Sequence, residues 1–306
     1  MTIFGSGYQA LTYEPTSWLR RVWALAWLEM RSLFRTRWGT ILFLVCQIPL
    51  IRGLFLLTIW AGFWSLGGGG GLGRMSPEFS PEHPAFYLAP AMSESGFVFV
   101  LLLTTLVSAR SIAKDRAARG LEILWTRGIG PGGYFFGKWL GSFALVGIGT
   151  VIGPLAMWCF AQSASPDESF AAASMEWLPR TMLATLFFTA ALTGLATALS
   201  SMARSPNLAS ILWVVVVVGA SAVARVFSRI FRGESWVRAL SPWDAAKRTA
   251  EEIAGVTPRI EFEPSVAIGA VLVYGAIVVA FAQRRQRTEE AVGCSSSAVS
   301  ASGSGR

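Results

Sequence analysis

The residues that could do chemistry in this chain are few. There are three cysteines, Cys46, Cys159 and Cys294, and a single histidine, His83. They form no CxxC pair and no clustered ligand set, so neither a metal site nor a disulfide scaffold is expected. The stretch Gly132-Gly-Tyr-Phe-Phe-Gly-Lys-Trp139 nearly fits a phosphate loop, but its last position is Trp139. An indole supplies no hydroxyl to Mg²⁺, so nucleotide binding in this chain is not expected. Serines and threonines occur inside apolar segments without the usual base partners, which argues against intramembrane hydrolysis. Two features remain. One is a pair of arginines inside apolar segments, Arg52 and Arg225; the other is the charged run Lys114–Pro131.

The elements that hold these residues follow from composition. The chain has 306 residues, 53% hydrophobic and 14% charged, with a mean hydropathy of +0.50. A water-soluble enzyme carries about 25% charged residues, and a disordered chain is far less apolar, so both classes are excluded. The pattern predicts an all-α polytopic membrane protein. Six segments are apolar over about the 20 residues a span needs: about 40–64, 95–113, 133–162, 178–202, 207–230 and 264–283. Residues 1–39 form a cytoplasmic N-terminal region, 40–283 the six-span domain, and 284–306 a Ser/Gly-rich cytoplasmic tail expected to be disordered. The first seventeen residues lack the basic region and apolar core of a cleavable signal, so the first span is expected to be a retained anchor.

The net charge of +8 could suggest nucleic acid, but its distribution suggests topology. With both termini cytoplasmic, the inner segments carry sixteen Lys/Arg and six Asp/Glu, and the outer segments eight and twelve. That is the asymmetry of the positive-inside rule in a cell (plasma, or inner) membrane, and no nucleic-acid partner is needed. The eighteen carboxylates fall outside the core spans. Coupling to an ion gradient, which usually uses intramembrane Asp, Glu or His, is therefore not expected.

Four segments carry further expectations. Ser17–Trp38 places Leu19, Val22, Trp23, Ala26, Met30, Leu33 and Phe34 on one helical face and Arg20, Arg21, Arg31 and Arg35 on the other, as in a helix lying in the membrane interface. The 114–131 connection has an apolar cluster, Leu121, Ile123, Leu124 and Trp125, among its charges, which suggests docking to a partner. Ser241-Pro242-Trp243-Asp244 reads as a helix start and Gly255 as its stop, giving a short outer helix before the last span. Ala190, Gly194 and Ala198 form a ridge of small residues that lets helices approach closely. Arg52, three residues after a kink expected at Pro49, is expected to face a translocation path or dimer interface, or else to lie nearer the membrane edge.

This order of elements resembles the permease subunits of ABC-2 type transporters. The most specific stretch is IAKDRAARGLEILWTRGIGPGGYFFGKWLG, residues 112–141. It carries the family's acidic-basic pair (Asp115, Arg116), Gly120-Leu121-Glu122, Ile123-Leu124, a turn with Pro131, and Gly137-Lys138 opening the third span. The usual Thr after the glycine is absent, since Leu121 follows Gly120 directly. The resemblance implies a transport subunit that is no enzyme itself and holds no cofactor. ATP and Mg would be bound by separate ABC ATPase subunits, and a second permease copy or paralogue would complete a dimer in the lipid bilayer. It implies that Asp115, Arg116, Arg119, Gly120, Leu121, Glu122, Ile123, Leu124 and Trp125 form a coupling helix against the ATPase. It also implies export, with the apolar spans suiting a lipidic or amphipathic substrate. Two alternatives stay open: a six-span enzyme acting on a lipid-linked substrate, and a membrane scaffold or channel without its own energy source.

Overall fold

The computed structural model describes residues 17–65, 80–118, 130–165, 168–231, 235–258, 262–277 and 280. These are almost entirely helical, with no strand among them. In chain order the helices are α1 (Trp18–Phe34), α2 (Arg37–Val45), α3 (Ile48–Ser65), α4 (Pro84–Met92), α5 (Glu94–Ala117) and α6 (Pro131–Ala164). They continue with α7 (Glu168–Met202), α8 (Pro206–Ile230), α9 (Pro242–Ala254) and α10 (Pro264–Ile277). The expectations for Arg119–Trp125 and for the 284–306 tail lie outside the described residues.

Helix starts follow local capping chemistry. Prolines 84, 131, 206 and 242 sit in the first turn, where a missing N–H costs nothing. His83 Nδ1 and the hydroxyls of Ser205 and Ser241 accept from the orphan N–H groups that follow. Gly255 ends α9 at φ +69°, a left-handed conformation that a glycine adopts without penalty.

Four helices, α5, α6, α7 and α8, are long and apolar enough to cross a membrane. The expected first span is a broken pair: α2 and α3 meet at a 43° bend between Val45 and Ile48. The break falls just before Pro49, whose ring cannot accept helix continuation from the preceding turn. Counting that pair as one span gives five. The sixth expected segment is described only as the 14-residue α10, with residues 278–279 and 281–283 outside the described set. Leu88–Met92 does not extend α5; it belongs to α4, separated by the Ser93 cap.

The main core lies where α4, α5, α7, α8 and α9 meet. Phe188 and Trp243 stack edge to face, as do Phe97 and Trp243, joining α7, α9 and α5. The small-residue ridge on α7 is used within the chain: Trp139 lies 3.5 Å from where a Gly194 side chain would begin and donates to the Ala190 carbonyl. A stripe the sequence analysis does not single out runs beside it. Thr181, Thr185, Thr189, Thr193 and Thr197 are all buried at four-residue spacing. Thr189 meets Thr150 at 2.6 Å, in the π-helical turn (Ile148–Ile152) of α6.

The α9 helix starts and stops where capping predicts, and it packs into the bundle. The Ser241 hydroxyl lies 2.8 Å from that of Ser221, nine residues before the end of α8. The chain therefore turns back after α8, and α9 runs along α7. Even Lys247, Arg248 and Glu251 are buried there.

Candidate functional site

The most concentrated set of charges inside the bundle gathers where α5 ends and α6 begins. Three helices contribute. On α1, Val22, Leu25, Ala26 and Glu29 recur at positions that share one helical face, and all four are buried. That face docks on α6 because Gly137 and Gly141 have no side chain. A Cβ on Gly141 would lie 2.7 Å from the Ala26 carbonyl oxygen and 2.8 Å from Glu29 Cβ. With α1 seated this closely, Glu29 reaches Lys138, two turns into α6.

Lys138 Nζ stands 2.5 Å from Glu29 Oε2 and 2.7 Å from Asp115 Oδ2. Tyr134, one turn earlier on α6, donates its hydroxyl to the same Asp115 oxygen at 2.8 Å. Lys138 is 4% exposed. A buried ammonium is tolerated only when paired and hydrogen-bonded, and here two carboxylates share it. The cluster thus fixes the last turn of α5 against α1 and α6 by charge-assisted bonds, which are the stronger kind.

The neighbouring α5 residues are tied to α7. Arg116 Nη1 donates to the Ala203 carbonyl at 2.7 Å, just past the end of α7. Ser200 Oγ accepts from the backbone N–H groups of Ile112 and Ala113, each at 3.1 Å. The root of the 119–129 connection is therefore held from three sides.

Of the residues assigned to the coupling segment, Asp115 and Arg116 are in this junction; Arg119, Gly120, Leu121, Glu122, Ile123, Leu124 and Trp125 lie outside the described residues. Arg52 is elsewhere. Its Nη1 donates to Ser95 Oγ at 3.2 Å, at the opposite end of α5. Twenty residues of helix separate Ser95 from Asp115, about 30 Å. Arg225 is on the exposed surface of α8 and donates to the Ser221 carbonyl of its own helix. The Gly132–Trp139 stretch forms the first two turns of α6, and its N–H groups are bonded within the helix from Tyr134 onward. Among the described residues no group of three or more His, Cys, Asp or Glu side chains could hold a metal ion.

Lys138 belongs to the Gly137-Lys138 motif, whereas Glu29 and Tyr134 are members of the junction that no sequence motif marks. The available signal was positional: Glu29 continues the Val22–Leu25–Ala26 face, and Lys138 interrupts the apolar α6. No protein-family model matches the chain, and no curated protein matches it.

Proposed function

We propose that this chain is the membrane-spanning permease subunit of an ABC-2 type, ATP-driven transporter, and that it exports a lipidic or amphipathic substrate. The observation that carries the reading is the junction at Asp115. In the segment with the most family-like sequence, Asp115 is locked by Lys138 and Tyr134, with Glu29 on the same ammonium. A segment that receives force from a partner needs a stiff root, because a compliant one would absorb the movement. ATP hydrolysis by two partner subunits would push on residues 115–125, and the junction would pass the push to α1, α5, α6 and α7.

In this reading both termini are cytoplasmic, the membrane is the cell's plasma (inner) membrane, and the α2–α3 pair and α10 are the first and sixth spans. The α1 helix lies in the cytoplasmic interface. Leu19, Trp23 and Trp27 are exposed on one side of it, which gives it an apolar face for lipid in addition to the one docked on α6. A second permease completes the translocation path, with Arg52 near it.

The test is co-expression of the tagged chain with the ABC ATPase encoded beside its gene. A stable complex with substrate-linked ATP hydrolysis is expected, and Gly120→Pro with Glu122→Lys should release the ATPase. Intact assembly and transport in that variant would refute the coupling assignment. Purification without any ATPase, with substrate moving passively down its gradient, would favour a channel or scaffold instead.

A further inference from the structure

At the end of α5 away from Asp115, a cavity of about 500 Å³ opens between α5, α8, the 3-10 turn Ser235–Leu240 and α9. Its size falls in the usual range for small-ligand sites, roughly 300–1,000 Å³. Three cations line it from three elements: Arg225 on α8, Arg238 on the turn and Lys247 on α9. Glu94 and Asp244 are the carboxylates of the lining, and Trp243 and Phe97 give it an apolar side.

The cations are weakly committed to the protein. The Arg238 guanidinium makes no hydrogen bond or ion pair among the described residues and acts on Asp244 only through its charge. Arg225 uses only its Nε, on the Ser221 carbonyl, which leaves both terminal nitrogens of the guanidinium. The one ion pair of Lys247 is a long 3.8 Å contact with Glu251 in its own helix. The Asp244 carboxyl is pushed up by burial and pulled down by Arg238, Lys247 and Arg225, so all three cations act on one small region.

We infer that this cavity is a binding site for a phosphate group, carried by the headgroup of an amphipathic molecule. Guanidinium forks match the oxygens of a phosphate, and two arginines with a lysine supply the charge. The apolar side at Trp243 and Phe97 suits the adjoining non-polar part of such a molecule, and Glu94 suits a cationic substituent on the headgroup. The binding claim concerns this chain alone. Its identification with the transported substrate rests on the permease reading.

The experiment uses the full chain purified in a phosphate-free sugar detergent, without any ATPase, so its failure is separable from failure of the transport assignment. Calorimetric titrations would use short-chain phosphatidylethanolamine, the matching diacylglycerol and inorganic phosphate. Phosphatidylethanolamine should bind about tenfold or more tighter than diacylglycerol. Arg238→Gln should weaken it by about tenfold or more, and Arg238→Lys should retain most of the binding. Arg238→Lys keeps the charge that faces Asp244 and should melt with the wild type, whereas Arg238→Gln removes it, so its binding is read at a temperature well below its own melting point. If inorganic phosphate binds as tightly as the lipid and is lost in Arg238→Gln, the phosphate group stands and its source is a free anion. Equal binding of phosphatidylethanolamine and diacylglycerol, no binding of either phosphate probe, or unchanged binding in Arg238→Gln would overturn the inference.

Discussion

Replacing Lys138 by methionine is the sharpest test of the junction. The change keeps the length of the apolar stem and removes the charge. At an effective dielectric constant of about 20, each of the two Lys138 contacts represents about 6 kcal/mol of attraction. The same two distances place the facing carboxylate oxygens no more than about 5 Å apart, which represents about 3 kcal/mol of repulsion once the ammonium is gone. Desolvation of the buried charges offsets most of the gross attraction, and removal of one partner from such a group typically costs about 3–5 kcal/mol. For a chain of this size that corresponds to a fall in melting temperature of roughly 5–8 °C. The assay is thermal unfolding of the detergent-purified protein followed by tryptophan fluorescence. The control is Lys138→Met combined with Glu29→Leu and Asp115→Asn, which removes the orphaned charges and should recover most of the loss. If Lys138→Met melts within 2 °C of wild type, the buried-cluster argument is wrong. If the triple variant is no better than the single one, the loss comes from packing and the electrostatic account fails.

Three further outcomes are expected. Gly141→Ala should destabilise by about 1–3 kcal/mol because its Cβ meets backbone that cannot move aside, whereas Gly132→Ala, with open space around it, should not lower the melting temperature. Ser241→Ala removes a helix cap and the contact with Ser221, so it should cost about 1–2 kcal/mol, more than Ser205→Ala at an exposed cap; melting curves of the two variants decide it. Burial raises the Asp244 carboxyl above its ordinary value, so its ionisation favours the unfolded chain and stability falls as the pH rises through its folded value. Asp244→Asn should therefore raise the melting temperature at pH 7 and have less effect as the pH approaches 4.

Local features were legible in the sequence. The apolar windows 133–162 and 207–230 match helices Pro131–Ala164 and Pro206–Ile230 because span limits are set by where polar residues begin. Ser241, Pro242 and Gly255 mark both ends of α9 because capping depends only on adjacent residues. The fourth span was read from about 178, yet α7 begins ten residues earlier, since a helix continues beyond its apolar part when Phe170 and Trp177 have partners such as Trp60 and Tyr87. The expected apolar stripe of α1 is divided in the structure: Leu19, Trp23 and Phe34 are exposed, while Val22 and Ala26 join Leu25 and Glu29 on the face docked on α6. The Glu29–Asp115–Lys138 junction was out of reach because its members are separated by up to 109 residues, and pattern along one helix carries no information about which distant helix it meets.

The seat of α1 on α6 also dictates a timetable for synthesis. Glu29 precedes its partner Lys138 by 109 residues. At a translation rate of about 5–20 residues per second, α1 is complete roughly 5–20 s before the surface it docks on exists. Throughout that interval Glu29 has no ammonium to pair with, and Val22, Leu25 and Ala26 have nothing to cover them. The tryptophans on the free side of α1 offer a foothold on the bilayer surface for the nascent chain. Once α6 is inserted, the helix can roll its second face onto Gly137 and Gly141 without first leaving the membrane. Slowing synthesis between codons 35 and 138 should therefore expose α1 to proteolysis for longer, while slowing it after the whole of α6 has left the ribosome should not.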